Sequence, residues 1–451
     1  MLRKLSTATG MRVFFVIWFG QLVSFLGSSL TSFALGIWIY ERTGAVTQYA
    51  IVLFCATLPP ILLAPFAGLL ADRWNRRWSM ILSDTGSALS TLVIVLLLFT
   101  DRLNAWHIYA ATTFSAVMST IQLPAYAATI PLLVPAEHLG RANGMRQLSR
   151  SLGQLIAPVL GGFLVVAIGL EGVILIDLIT FLFAVSTLLL LRFPAVPKTT
   201  SAKQRTSWLR ESMAGWTYLL TERGLLSLLI YFALINFLLG SIEVLVTPLA
   251  LSFTSPDILG MILFIGGLGM VAGSLMMSVW GGPRRKIYGV LVSQFIGGAC
   301  VILAGLNSNI MVLAAVACVY FFGIPIGDAC STYIFQQKVP AEVRGRVFAV
   351  IGAVAGFVLP LSYLIVSALA DRVFEPLMMP GAPLAQVFGS IVGTGEGRGI
   401  GLMFAMMGSI AMLVTALAYL YPPLRQIDDD LLETSPAPAP IDSRSAQQAR
   451  S

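Results

Sequence analysis

Four carboxylates interrupt otherwise apolar runs of this chain: Asp84, Asp177, Glu243 and Asp328. A charge at bilayer depth is costly, so one that is kept there holds a proton, a cation or a fixed partner. Asp328 has the strongest position. It stands 11 residues before Val339, where polar sequence resumes. At the helical rise that is roughly 16 Å deep, near a bilayer midplane. It reads either as a coupling or cation-contacting group or as a partner for polar groups near Pro325 and Gly327. Glu243 lies roughly 27 Å from the start of its run, near the other surface, as a gate or an interfacial carboxylate. Asp177 and Asp84 read mainly as structural, Asp84 as a partner for the arginines of the basic loop that precedes it.

Polar groups without charge complete the set. Gln21, Gln122, Asn236 and Gln294 fit cargo contacts or helix–helix hydrogen bonds. The candidates for proton coupling or substrate contact are thus Asp328, Glu243, Gln21, Gln122 and Asn236. Arg146 and Arg150, four apart, share one helix face. They can attract an anion or pair with acidic groups across an inner gate.

Other chemistries find no residues. No GxxxxGK[ST] loop occurs to hold a nucleotide. His107 and His138 are far apart, and Cys55, Cys300, Cys318 and Cys330 sit singly in apolar runs, so neither a metal nor a disulfide framework is expected. No nucleophile–base pair converges, so neither an enzyme nor a cofactor is expected. The 28 Lys and Arg are spread along the chain, which does not suit a nucleic-acid groove.

The elements that must position these residues follow from composition. Of 451 residues, 57% are hydrophobic and 11% charged, against about 25% charged in soluble domains. The expected fold is an all-α polytopic membrane protein with twelve transmembrane helices in two six-helix pseudo-repeat bundles. The apolar runs fall at about 13–40, 47–70, 78–100, 105–128, 147–168 and 172–192, then 225–252, 258–281, 287–306, 310–335, 347–370 and 399–421. The first is too long for a signal-peptide core. Residues 1–192 form the N-terminal bundle, 193–223 a linker and 224–421 the C-terminal bundle. Residues 422–451 are expected to be a disordered tail. In the linker, Trp208, Leu209, Met213, Trp216 and Leu219 have the spacing of a helix lying on the membrane surface.

With the first segment inside and sides alternating, 24 of the 28 Lys and Arg fall inside and 4 outside. That asymmetry supports twelve spans with both termini cytoplasmic. Val134-Pro-Ala-Glu-His-Leu-Gly-Arg141 matches Val339-Pro-Ala-Glu-Val-Arg-Gly-Arg346 at six of eight positions, 205 residues on. Both follow the fourth run of their set, so the two halves cross the membrane in the same sense.

The loop Gly68-Leu-Leu-Ala-Asp72-Arg73-Trp-Asn-Arg76-Arg77 resembles the G-x-x-x-D-R/K-x-x-R-R signature of the major facilitator superfamily at every named position. In that family it latches the halves, which implies a gating role for Gly68, Asp72, Arg73, Arg76 and Arg77, with Asp84 beside them. The equivalent second-half loop, Gly281 to Lys286, keeps the basic residues and lacks the Asp. Gly153-Gln-Leu-Ile-Ala-Pro158-Val-Leu-Gly161-Gly162 is similar to the family's antiporter motif, or else is small-residue packing. Gln21 to Trp38 and Glu41-Arg-Thr-Gly44 resemble the branch holding bacterial macrolide-efflux proteins and the enterobactin exporter. The fourth run has no Arg, unlike many proton antiporters of the family.

The resemblance implies a monomeric secondary transporter of the bacterial inner membrane. It would export an amphipathic small molecule (a drug, siderophore or secreted peptide metabolite) by alternating access, with protons as the coupling partner and lipid around it. A lysophospholipid flippase or importer of the same fold is the alternative. So is a non-transporting sensor, for which the acidic tail Asp428, Asp429 and Asp430 would be the docking element.

Overall fold

Helices form where apolar runs meet good caps. The computed structural model describes residues 2–190 and 216–428; the side chains of residues 2–10, 65–73, 136, 341 and 342 lie outside that description. The first four spans are α1 (Leu2–Thr43), α2 (Val46–Arg73), α3 (Arg76–Phe99) and α4 (Ala105–Leu133). The helix Leu139–Leu190 breaks at Gly169, whose φ of 70° and ψ of 178° suit a residue without Cβ. It therefore supplies two spans, α5 (139–168) and α6 (170–190). The second half is α7 (Arg223–Leu251), α8 (Pro256–Trp280), α9 (Lys286–Leu306), α10 (Ile310–Lys338), α11 (Ala341–Leu369) and α12 (Arg398–Leu420). Among the described residues eleven helices are long and apolar enough to cross a membrane, and the Gly169 break makes the spans twelve.

Local chemistry sets the ends. Asn75 starts α3 by accepting from the Arg77 and Trp78 amides at 3.1 and 3.4 Å, and Asn309 starts α10 by accepting from Met311 N at 2.9 Å. Some helices outrun their apolar stretch. α5 begins at Leu139 rather than near 147, because arginines are good helix formers and the helix continues past the apolar layer.

The internal repeat is visible in the packing. α2 packs on α4 and α3 on α4, as α8 packs on α10 and α9 on α10. α1 packs on the α5–α6 hairpin as α7 packs on α11. Between the halves the main pairs are α5 with α8 and α2 with α11, which exchange under the same shift of six helices. Side chains such as Phe163, Ile179, Val279 and Met311 are exposed around the outside, where lipid covers apolar surface.

Arg76, Arg77, Arg141, Arg284 and Arg285 gather at one end, called here the basic end; the other is the far end. Two expectations shift. Trp208, Leu209 and Met213 lie outside the described residues, whereas 216–221 is helical and Leu219 is fully buried in the C-terminal core. The tail expected from 422 holds onto the bundle as far as 428. Leu424 and Ile427 pack with Leu225 and Leu228, and buried Asp428 accepts from Ile287 N at 2.8 Å. A carboxylate at a helix N-terminus is favourable, so Asp428 serves its own chain rather than a docking tail, and it stands at the loop that lacks an Asp.

Candidate functional site

A cavity of about 2450 Å³, its open mouth included, is lined by helices of the N-terminal half and, from the C-terminal half, by Glu243 and Thr247 of α7. It runs from Arg146 and Arg150 near the basic end of α5 to Glu243 and Thr247 on the far part of α7. The far end is closed by contacts between halves. Tyr49 Oη donates to Thr247 Oγ1 at 3.2 Å. Gly162 of α5 sits on the Pro256 carbonyl of α8, and Gly260 of α8 on the Pro158 carbonyl. Only residues without Cβ allow backbones so close. Beside them, the carboxylate of Asp371 accepts from Val46 N at 2.9 Å and Thr47 N at 2.7 Å. Asp371 lies on a π-turn, Ala370–Phe374, that follows α11. It caps the first turn of α2 from the other half.

Gln21, Asp84 and Gln122 meet on the cavity wall. Gln21 Nε2 donates to Asp84 Oδ2 at 2.9 Å; Gln122 Nε2 donates to Asp84 Oδ1 at 2.6 Å and to Gln21 Oε1 at 2.7 Å. This corrects the expected pairing of Asp84 with the loop arginines. Arg76 instead donates to the Ala128 carbonyl at 2.8 Å. Arg77 donates to the Leu188 and Leu189 carbonyls at 3.0 and 2.8 Å. Asp84 is about 12 Å along α3 from Arg76 at the helical rise, too deep for those side chains; a carbonyl of α4 takes Arg76, and orphan carbonyls of the last turn of α6 take Arg77. Gly68, Asp72 and Arg73 lie on the last turns of α2, with the side chains of Asp72 and Arg73 outside the described residues.

The other candidates divide between two places. Arg146 and Arg150 line the cavity mouth, and among the described residues neither forms an ion pair. Gly153 and Gly161 seat Phe25 and Phe33 of α1, so the motif on α5 packs both within its half and, through Pro158 and Gly162, across to α8. Glu243 faces the far part of the cavity and accepts from Tyr363 Oη at 2.8 Å. Asn236 and Asp328, with Gln294, line a separate pocket of about 1020 Å³ among α7, α9, α10 and α12. The structure thus sets Asp328 apart from Asp84 and Glu243. Asp177 is 1% exposed on the cavity wall and accepts from Ser28 Oγ at 3.3 Å.

Sequence reasoning passed over several of these groups. Asp371 follows an apolar run, Tyr363 lies within it, and neither carries a motif. The hydroxyls of α1, α3 and α4 were passed over as well, Ser24, Ser28 and Thr31 of α1 recurring on the face of Gln21.

Twelve spans in two repeats around a central cavity define a membrane transporter, not an enzyme. The family model of the Major Facilitator Superfamily matches residues 17–363, and the chain belongs to that family. It is 25% identical over 364 residues to macrolide efflux protein A of Streptococcus pyogenes, covering 80% of this chain and 90% of that protein. It is 24% identical to the multidrug efflux pump Tap of Mycolicibacterium fortuitum, covering 79% and 88%. Its fold is similar to that of a bacterial homolog of the human lysosomal transporter Spinster, with a TM-score of 0.67 at 13% identity, covering 94% and 98%.

Proposed function

We propose that the protein exports an amphipathic small molecule from the cytoplasm across the bacterial inner membrane by alternating access, driven by protons. The observation that carries this reading is the cavity, closed at the far end and lined by Arg146 and Arg150 toward the basic end. With the basic end cytoplasmic by the charge asymmetry, this is the state that loads cargo from inside. The names of the relatives support efflux of a drug-like molecule. The cavity offers such cargo an apolar wall that includes Phe25, Phe33 and Leu123. Both termini are cytoplasmic in this reading, and one chain suffices, because the cavity is built from one chain's two halves.

The test uses inside-out vesicles containing the protein, an imposed pH gradient, and a panel of macrolides, siderophores and lysophospholipids. The expected result is collapse of the gradient when one compound is added. Accumulation of the same compound inside intact cells, with no collapse, overturns export by antiport. A response to lysophospholipid alone moves the cargo class to lipid.

A further inference from the structure

Three helices of the N-terminal half each turn a polar stripe toward the same seam. On α3, Asp84, Ser87 and Thr91 recur at three- and four-residue intervals, which is one helix face. On α1 the stripe is Gln21, Ser24, Ser28 and Thr31. On α4 it is Ser115, Ser119 and Gln122. All of these line the central cavity. Ser90 joins α3 to α4 through Ser115, hydroxyl to hydroxyl, at 2.7 Å.

The seam has a carboxylate at each end. Asp84 is 2% exposed and Asp177 of α6 is 1% exposed. The hydroxyls of Ser28, Thr31, Thr91 and Thr180 lie beside Asp177. From Asp84 to Thr91 is two turns of α3, about 10 Å. The Thr31 hydroxyl is buried beside that carboxylate, and a hydroxyl both donates and accepts. Among the described residues that line the cavity, none from α1, α3, α4 or α6 is a Lys or Arg. The charged groups over the same cavity are Arg146 and Arg150 on α5 and Glu243 on α7, and Tyr49 of α2 and Tyr126 of α4 are the other titratable groups that line it.

We propose that this seam is the proton path of the transporter, with Asp84 and Asp177 as its two proton-holding groups and Gln21 and Gln122 as the reporters of Asp84's state. The inference rests on the proton-driven reading above and moves the coupling chemistry from Asp328 to the N-terminal half. Both oxygens of Asp84 accept from amide N–H groups, the pattern of an ionised carboxylate, which has acceptors only. When a proton from cavity water bonds to one oxygen, that oxygen becomes a donor, and the amide facing it must turn away. Gln21 belongs to α1 and Gln122 to α4, so the same event loosens the clamp between two cavity helices. Return of the proton to water restores both bonds. No bond other than O–H forms or breaks.

The test pairs a cargo-free measurement with a transport one, on the full chain in liposomes. Infrared difference spectra taken as pH is stepped report protonated carboxyl groups. Asp84→Asn and Asp177→Asn should each delete one component, and Asp328→Asn should leave both. Asp84→Glu should restore a component, and Gln122→Leu, which keeps the carboxylate, should move its midpoint. In the transport arm erythromycin serves as the probe. Proton movement on its addition should fall at least tenfold in Asp84→Asn and Asp177→Asn. Unchanged spectra in the Asn variants, or full proton coupling in either, overturn the proposal. If the parent itself moves no protons with any compound, the antiport reading fails, and the infrared arm still decides whether Asp84 and Asp177 bind protons.

Discussion

Asp371 caps the helix that begins at Val46, and the two residues belong to opposite halves of the transporter. The first turn of α2 contains no acidic residue of its own. Its exposed N–H groups need an acceptor, and with the far end closed the carboxylate after α11 is that acceptor. Replacing Asp371 by Ala removes a cap worth about 1–2 kcal/mol. The ratio of far-closed to far-open molecules should then fall about five- to thirtyfold. Distances between spin labels on the far ends of α2 and α11 would report it, and an unchanged distribution would count against the latch.

The glycine contacts between α5 and α8 make a different prediction. A Val side chain at Gly162 would meet the Pro256 carbonyl. Overpacking of this kind costs about 1–3 kcal/mol. Gly162→Val should open the far end, and Gly144→Ala, where a Cβ meets nothing within 4 Å, should not. Labelling of a cysteine placed at Thr247 by an impermeant reagent from the far side separates the two.

Arg146 and Arg150 should matter to anions and not to neutral cargo. Replacing both by Ala should weaken binding of an anionic amphiphilic dye roughly ten- to a hundredfold, the worth of a charged hydrogen bond. A neutral analogue should be unaffected. Titration in liposomes at two salt concentrations checks this, since screening weakens the attraction. Equal losses for both dyes would mean that the arginines only shape the mouth.

The ordered part of the tail can be tested by heat. Asp428→Ala leaves Ile287 N without its acceptor and should cost about 1–2 kcal/mol of C-terminal-half stability. Removing residues 429–451 leaves that cap in place and should cost far less. Thermal unfolding of the purified chain in detergent compares the two, and transport by the shortened chain would argue against a docking tail.

Much of the architecture was legible beforehand because hydropathy and charge act along the chain. The spans, the two halves and the Val134/Val339 repeat are local or periodic signals. Partner choice is not local. Asp84 lies close in sequence to Arg76 and Arg77, and that nearness suggested a pairing. The fold turns it instead toward Gln21 and Gln122, which are 63 and 38 residues away. Asp328 was read from its distance along α10, but that distance does not say which side of α10 faces the central cavity. The far-end structure between α11 and α12 was missed because its π-turn and the short helix Pro383–Val392 are too brief to show as a run.

The two far-end contacts exchange under the internal repeat, yet they are not alike. Just past α11 stands Asp371; just past α5 stand Gly169 and Leu170, without charge. α8 carries Asp257 in its own first turn and borrows nothing. One side of the closure is therefore a backbone-to-backbone seat, and the other is a charge that lets go whole. If the protein exports as proposed, the edge at α2 and α11, held by one carboxylate, is the one a single proton or counter-charge could release, whereas the glycine seat of α5 and α8 has no charge to lose.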